Sequence, residues 1–324
     1  MTPVRKLARL KYILDHQASA KFGADYQPSG RATREQTPSL SYGNRLARPR
    51  LGRDAHAHSN SELFPILFAL YNPDVLDLHE QKMLSRFPAP HPLTGFPGVD
   101  ESALPPVRGT LQVADALGYH DFHDIVYVLD PDNKKDKHPV AMPLVGDILL
   151  FIRRQDNEPY CVNWSVKDIE DAFKSAPPTK SISRRRDHEK VVRRQKIETI
   201  YYQDAATPTV QLAAYEDIPL QLRCNLELMA LNMNNPLSAE GEQHKELILD
   251  MLLYSLNRGI APMFVFERNV IRNDFFAQDV ITLLHRYVWE RKLRVDLFQP
   301  FFTDHPLPKE ECDALLKFKH WFQP

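Results

Sequence analysis

The run PLVGDILLFIRRQDNEPYCVNWSVK, Pro143 to Lys167, places one carboxylate and one ammonium among apolar residues. Asp147 falls inside the strand-like stretch 144–152. Val145, Leu149 and Phe151 share its face, and Leu144, Ile148, Leu150 and Ile152 line the other. Apolar residues on both faces predict a central, covered strand. The next stretch alternates, with Tyr160, Val162, Trp164 and Val166 on one face and Cys161, Asn163, Ser165 and Lys167 on the other. Paired as a hairpin, the two strands bring Asp147 beside Lys167. Burying either group alone costs several kcal/mol, so each needs a partner. A plain ion pair answers that need. So does a hydrolytic site, where carboxylate oxygens hold Mg²⁺, a hard cation that also contacts phosphate, and a lysine orients or activates water.

Such a site needs a further carboxylate. A helix is predicted over 61–71, with Ser59, Asn60 and Ser61 as N-cap candidates and Pro65 near its first turn. Glu62 stands at its start, either facing the helix dipole or turned to the site. A second helix is predicted over 185–203. Its Glu198 either pairs with Arg194 four residues earlier or serves the site. An Asp on one strand with x-x-Lys ending the next is the skeleton of the PD-(D/E)xK nuclease site.

The 324-residue chain has a formal net charge of -1, but its charge is unevenly placed. Residues 1–53 carry eleven Lys/Arg against three acids, and residues 180–196 carry eight against two. Two basic tracts suit a polyanion partner, although solvated faces would read the same way. The candidate phosphate contacts are Arg45, Arg48, Arg50, Arg53, Arg184, Arg185, Arg186, Arg193 and Arg194. No apolar run is long enough to span a membrane, and the N-terminus lacks a signal-peptide pattern. Cys161, Cys224 and Cys312 lack metal-ligand spacing, which suggests reduced thiols in a cytoplasmic protein.

The expected order is a polar arm over 15–53, the helix at 61–71, a strand in DVLDLHEQKML, and an irregular Pro/Gly-rich stretch at 85–109. One or two helices follow over 110–129, then the two strands, the helix over 185–203 and a strand in TPTVQLAAY. From Asp217 onward amphipathic helices take over, and LRVDLFQPFFTD reads as strand-like. Helices leading into a short ribbon suggest a winged-helix type of module.

The run GRDAHAHSNSELFPILFALYNPDVLDLHEQ, Gly52 to Gln81, resembles the TnsA family, the endonuclease subunits of heteromeric cut-and-paste transposases. The shared pattern is Gly-Arg-x-x-His, then a Ser-x-x-Glu-Leu helix, then a VLDIREQ-like strand. ADYQPSGR, LQVADALGYHDFH, KIETIYYQD, VQLAAYEDIP and LLHRYVWERKLRVDLFQPFF are similar to further family segments. The resemblance implies an α/β fold: a restriction-endonuclease-like N-terminal domain over 1–216, a mixed sheet flanked by helices, and a mostly helical, winged-helix-like domain over 217–324. It carries the catalytic set onto Glu62, Asp147, Lys167 and Glu198. It implies Mg²⁺, with Mn²⁺ able to substitute, held by Glu62 and Asp147 with Ser165 and the Val166 carbonyl. Ser165 departs from the pattern, which has Gln or Glu there. The implied activity is cleavage of the 5′, non-transferred strands at transposon ends. The implied partners are double-stranded DNA, a DDE-type transposase and an AAA+ ATPase contacting the C-terminal domain, in a nucleoid-associated bacterial setting. A stand-alone restriction or repair nuclease and a non-catalytic DNA-binding scaffold subunit are the alternatives.

Overall fold

The computed structural model describes residues 3–33, 43–130, 136–154, 158–174, 182–273 and 277–323. The chain opens on α1 (Pro3–Gln17). The hairpin of β1 (Asn44–Arg48) and β2 (Arg53–Ala57) leads into α2 (Asn60–Tyr71). Next come β3 (Val75–Glu80), β4 (Met83–Leu84), α3 (Thr110–Ala116) and the ribbon of β5 (Ile125–Leu129) and β6 (Lys137–Ala141). Then follow β7 (Leu144–Val145), β8 (Ile148–Arg153), β9 (Pro159–Lys167), α4 (Asp171–Lys174), α5 (Ile182–Asp204) and β10 (Thr209–Ala213).

The central sheet has the order β10-β9-β8-β3. β10 runs parallel to β9, and the other neighbours are antiparallel. The fold is therefore mixed α/β. Strand alternation sorts the core into two layers. Leu149, Phe151 and Cys161 pack with Tyr201, Tyr202 and Ala205 from the end of α5 and just beyond, and with Leu84, Leu93 and Val107. The opposite face carries Ile148, Leu150, Val162 and Trp164, all buried. A third set, Val113, Ala114 and Phe122 with Ile197, joins α3 to α5.

The chain divides into two compact units. The first holds residues 1–66, 74–216 and 322–324; the second holds 67–73 and 217–321. The second unit is helical: α6 (Leu220–Asn232), α7 (Ala239–Gln243), α8 (Lys245–Arg258), α9 (Pro262–Asn273), α10 (Ala277–Trp289) and α11 (Ala314–Lys317). α10 packs against α6 and α8. Asn225 ties α6 to the loop after α10 through the carbonyls of Leu297 and Gln299, both at 2.9 Å. No helix among the described residues is long and apolar enough to cross a membrane.

Four sequence expectations change. The strand read over 144–152 is broken at Gly146–Asp147, between β7 and β8. The helix or helices read over 110–129 end at Ala116, and Ile125–Leu129 forms β5. Its β-branched and aromatic residues suit a ribbon partner, here β6. The basic arm contains the β1–β2 hairpin as well as irregular chain. LRVDLFQPFFTD forms no strand among the described residues, only the isolated bridge Val295–Lys309. The carbonyls of Leu297 and Gln299 are taken by the Asn225 side chain rather than a neighbouring strand.

The arm is pinned to β3 by a buried ion pair. Arg53 on β2 meets Glu80 through two parallel bonds, Nη1–Oε1 at 2.7 Å and Nη2–Oε2 at 2.8 Å. The His56 amide adds a bond to Oε1 at 3.0 Å, and the guanidinium lies 4.8 Å over the Tyr26 ring. Such planar bidentate geometry is what Arg offers a carboxylate. Arg53 is thus an internal strut, and the expectation that it contacts DNA phosphate is corrected. Arg53→Ala strands a buried carboxylate and should cost about 3–5 kcal/mol in urea unfolding; Arg53→Met with Glu80→Leu should recover most of that loss.

Candidate active site

The register of the strands decides which side chains meet. β3 and β8 pair with Glu80 opposite Ile148, and β4 and β7 pair with Met83 opposite Val145, so one register runs through both. Between them the Gln81 amide donates to the Asp147 carbonyl at 2.9 Å, and the Gly146 amide to the Lys82 carbonyl at 2.8 Å. The pairing is continuous but bent. The bend sits at Gln81, whose φ of 52° is left-handed. A non-glycine residue there costs roughly 1–2 kcal/mol, so its surroundings must hold it. On the other side β8 pairs with β9, Ile148 opposite Trp164, and the same register places Ser165 opposite Asp147.

Asp147 thus ends a strand where its carboxylate turns to the end of β9. Its Oδ2 accepts from the Val166 amide at 2.8 Å and lies 3.5 Å from Lys167 Nζ. Nζ donates to the Val166 carbonyl at 2.8 Å. The adjacency of Asp147 and Lys167 expected from register arithmetic is present, with both side chains only partly exposed.

Glu62 arrives from the first turn of α2. Ser59 caps that turn by accepting from the Glu62 amide at 3.3 Å, and the Glu62 Oε2 accepts from the His58 amide at 2.9 Å. Ser59 and Glu62 occupy the positions of a capping box, but Glu62 takes the amide of His58, one residue before the cap. Gln81 Nε2 lies 3.4 Å from Glu62 Oε1. Burial, and then the charge of Asp147, push the Glu62 carboxyl up from about 4.5 to about 7, against the pull of the His58 amide, Lys167 and Arg194. Glu62 and Lys167 line a surface cleft of about 520 Å³, with Ser59, Ser61, Val166, Asp168, Ile169 and Ala172. The Ser61 hydroxyl donates to Asp168 across this cleft, joining the start of α2 to the end of β9.

Glu198 stands deeper. It is buried, and its Oε1 accepts from the Asn163 amide at 3.0 Å. Burial and then Asp147 hold its carboxyl above the ordinary range. The pairing expected with Arg194 is replaced by this amide, while the Arg194 guanidinium donates to the Val145 carbonyl, two residues before Asp147. Gly146 permits the approach. A Cβ there would stand 3.4 Å from Glu198 Oε1 and 3.3 Å from Leu84 Cδ1. Ser165 is buried on β9 on the same side as Asn163 and Lys167.

The basic residues divide. Arg45 is exposed and paired with Asp54. Arg50 is exposed and donates to the Val75 carbonyl. Arg193 binds Glu189 at 2.6 Å and rests over the Tyr119 ring. Of Arg50, Arg53 and Arg194, Arg53 alone is buried as an internal strut, while Arg50 and Arg194 each give a donor to a main-chain carbonyl and stay at least partly exposed. The side chains of Arg48, Arg184, Arg185 and Arg186 lie outside the described residues. Sequence reasoning assigned no role to Asn163, Asp168 or Gln81. Asn163 shares the alternation that singled out Ser165 and Lys167, so that signal was present.

Among the described residues no three His, Cys, Asp or Glu side chains form a complete metal cage. Mg²⁺ seldom uses one: it keeps several waters and takes one or two carboxylates together with substrate phosphate. Glu62 and Asp147 fit that need as hard oxygen donors, and the charge of one opposes ionisation of the other. Compared with protein-family models and with curated proteins, the chain matches none.

The raised Glu62 value has a signed consequence. Below about pH 4.5 the group is protonated folded or unfolded; between about 4.5 and 7 the unfolded chain ionises it while the folded chain keeps the proton, so stability falls across that window and levels off above it. Without divalent cations, Glu62→Gln should therefore be more stable than the wild type at pH 8, by roughly 2 kcal/mol after allowing for partial solvent contact. The gap should close towards pH 4.5, as checked by urea unfolding at both pH values.

Proposed function

We propose that this chain is a Mg²⁺-dependent DNA endonuclease of PD-(D/E)xK type, and specifically the TnsA-like subunit of a cut-and-paste transposase that cleaves the 5′, non-transferred strands at transposon ends. The observation that carries the reading is the meeting of three groups. Asp147 lies at the bend of two strands, Lys167 at 3.5 Å from its carboxylate, and Glu62 on a helix start near enough for Asp147 to raise its pKa. A buried ion pair alone accounts for Asp147 and Lys167 but leaves the second carboxylate without purpose.

The roles follow from position. Asp147 and Glu62 supply carboxylate oxygens for Mg²⁺, or Mn²⁺ in its place, with the Val166 carbonyl and the Ser165 hydroxyl as weaker neutral donors. A bound Mg²⁺ contributes Lewis acidity at the phosphate oxygens and eases ionisation of water. Lys167, partly exposed, orients the attacking water and balances charge building on the phosphate. The water oxygen bonds to phosphorus as one P–O ester bond breaks; the water gives up a proton and the leaving oxygen takes one. Glu198, buried and bonded to Asn163, feels the charges of Asp147 and Lys167 as Glu62 does, and completes the catalytic set from the deeper side.

In this reading the first unit is restriction-endonuclease-like and the helical second unit is winged-helix-like. Exposed bases such as Arg45 and Arg193 hold duplex DNA without reading sequence. End recognition comes from a DDE-type transposase that cuts and joins the 3′ ends, and an AAA+ ATPase contacts the second unit, in a nucleoid-associated bacterial setting.

Reconstituted excision with the partner transposase tests this. Asp147→Ala and Lys167→Ala should each reduce double-strand breaks by about 10³-fold or more while leaving 3′-strand cleavage in place. Folded variants that still give full double-strand breaks would make the assignment wrong. The isolated wild-type chain should cut DNA weakly or not at all; efficient unaided cutting would instead mark a stand-alone restriction or repair nuclease.

A further inference from the structure

Gln81 has no part in the chemistry described so far, yet it touches the segments that carry both Asp147 and Glu62. Its backbone amide donates to the Asp147 carbonyl at 2.9 Å, and its side-chain amide reaches Glu62 at 3.4 Å. Its carbonyl accepts from the Ser29 amide at 3.2 Å and from Gln17 Nε2, on the last residue of α1, at 3.1 Å. Gln17 in turn accepts from the Met83 amide through its Oε1. The N-terminal segment is thereby stapled to Gln81 at the bend and to Met83 just after it.

The backbone conformation of Gln81 is unusual for its type. Only Gln81, Ala206 and Arg291 among the described non-glycine residues have positive φ. Glycine would adopt 52° without strain and could make every one of the main-chain bonds. The main chain therefore asks for glycine, and only the carboxamide explains a glutamine. That carboxamide meets one charged group, the Glu62 carboxylate. A neutral amide donor suits such a place. It fixes the carboxylate's direction without neutralising it, as supporting groups do for metal-binding carboxylates.

Resting on the nuclease reading, we propose that Gln81 is a positioning residue: its carboxamide aims Glu62 at the same ion that Asp147 binds, and its strained backbone fixes Asp147 relative to it. Two carboxylates from elements distant in sequence are set by one residue placed between them. The left-handed turn is what allows this, since it bends the strand so that the two carboxylates converge.

The experiment measures Mn²⁺ binding to the full chain by electron paramagnetic resonance, alongside melting temperature. Gln81→Gly keeps the main-chain bonds and relieves the strain, so its melting temperature should equal or exceed that of the wild type. Its Mn²⁺ affinity should nevertheless fall about tenfold or more. Gln81→Met, of similar reach but without a donor, should lose affinity to a similar degree. It is the check if the glycine variant folds poorly. Added to Glu62→Gln, either change should cost little more, because it acts through Glu62. A folded Gln81→Gly or Gln81→Met variant that binds Mn²⁺ as tightly as the wild type overturns the positioning role and leaves the nuclease reading standing. A wild-type chain that binds no Mn²⁺ overturns that reading, and this proposal with it.

Discussion

Asp147 and Glu62 are held where neither is fully solvated, and the negative charge of the first opposes ionisation of the second. The surrounding structure offsets that repulsion only in part, with the Val166 amide and Lys167 on one carboxylate and the His58 amide and Gln81 on the other. A fold that needed only burial would place apolar residues here, since ion pairs inside proteins are often no better than well-packed apolar side chains. Here three carboxylates, Glu62, Asp147 and Glu198, instead gather with Lys167 and Arg194, and the charge of Asp147 acts on both glutamates.

The rest of the first unit holds this arrangement steady. The pairing of residues 77–84 with 144–151 keeps one register through its bend, so Asp147 is fixed by main-chain bonds on both sides. Arg53 and Glu80 lock β2 to β3 just before the bend, and β2 leads directly to the start of α2 that carries Glu62. The Ser61–Asp168 bond then joins that helix start to the end of β9. Glu62, Asp147 and Lys167 are far apart in sequence, yet each is held by short-range contacts to rigid elements. That is what a site of defined geometry requires.

Much of this was legible from residue patterns. Period-two alternation placed Asn163, Ser165 and Lys167 on one face, and the register of two adjacent strands brought Asp147 to Lys167. The cap residues and apolar spacing located α2, and with it Glu62. Other features were hidden for physical reasons. A basic side chain reads the same whether it meets phosphate or an internal carboxylate, so Arg53 was assigned outward and lies inward. The β1–β2 hairpin has short, charged strands, and the inward alternation of β2 is two alanines, Ala55 and Ala57, too small to mark a strand. β5 continued the apolar run of α3 and could be told from a helix only by its β-branched residues. The bend at Gly146–Asp147 was invisible in an apolar run, and it lies opposite Gln81 on the neighbouring strand. Its left-handed backbone follows from tertiary contacts rather than residue type.

The central claim is that Glu62 and Asp147 share one divalent ion beside Lys167. It is tested most directly by loading the chain with Fe²⁺ in place of Mg²⁺ and generating hydroxyl radicals at the bound ion with ascorbate and peroxide. Peptide mapping then locates the backbone cuts. The account predicts cuts clustered near Glu62, Asp147 and Ser165–Lys167, suppressed by excess Mg²⁺ and lost in Asp147→Asn. Cuts elsewhere, or cuts at these segments that persist in Asp147→Asn, would contradict it.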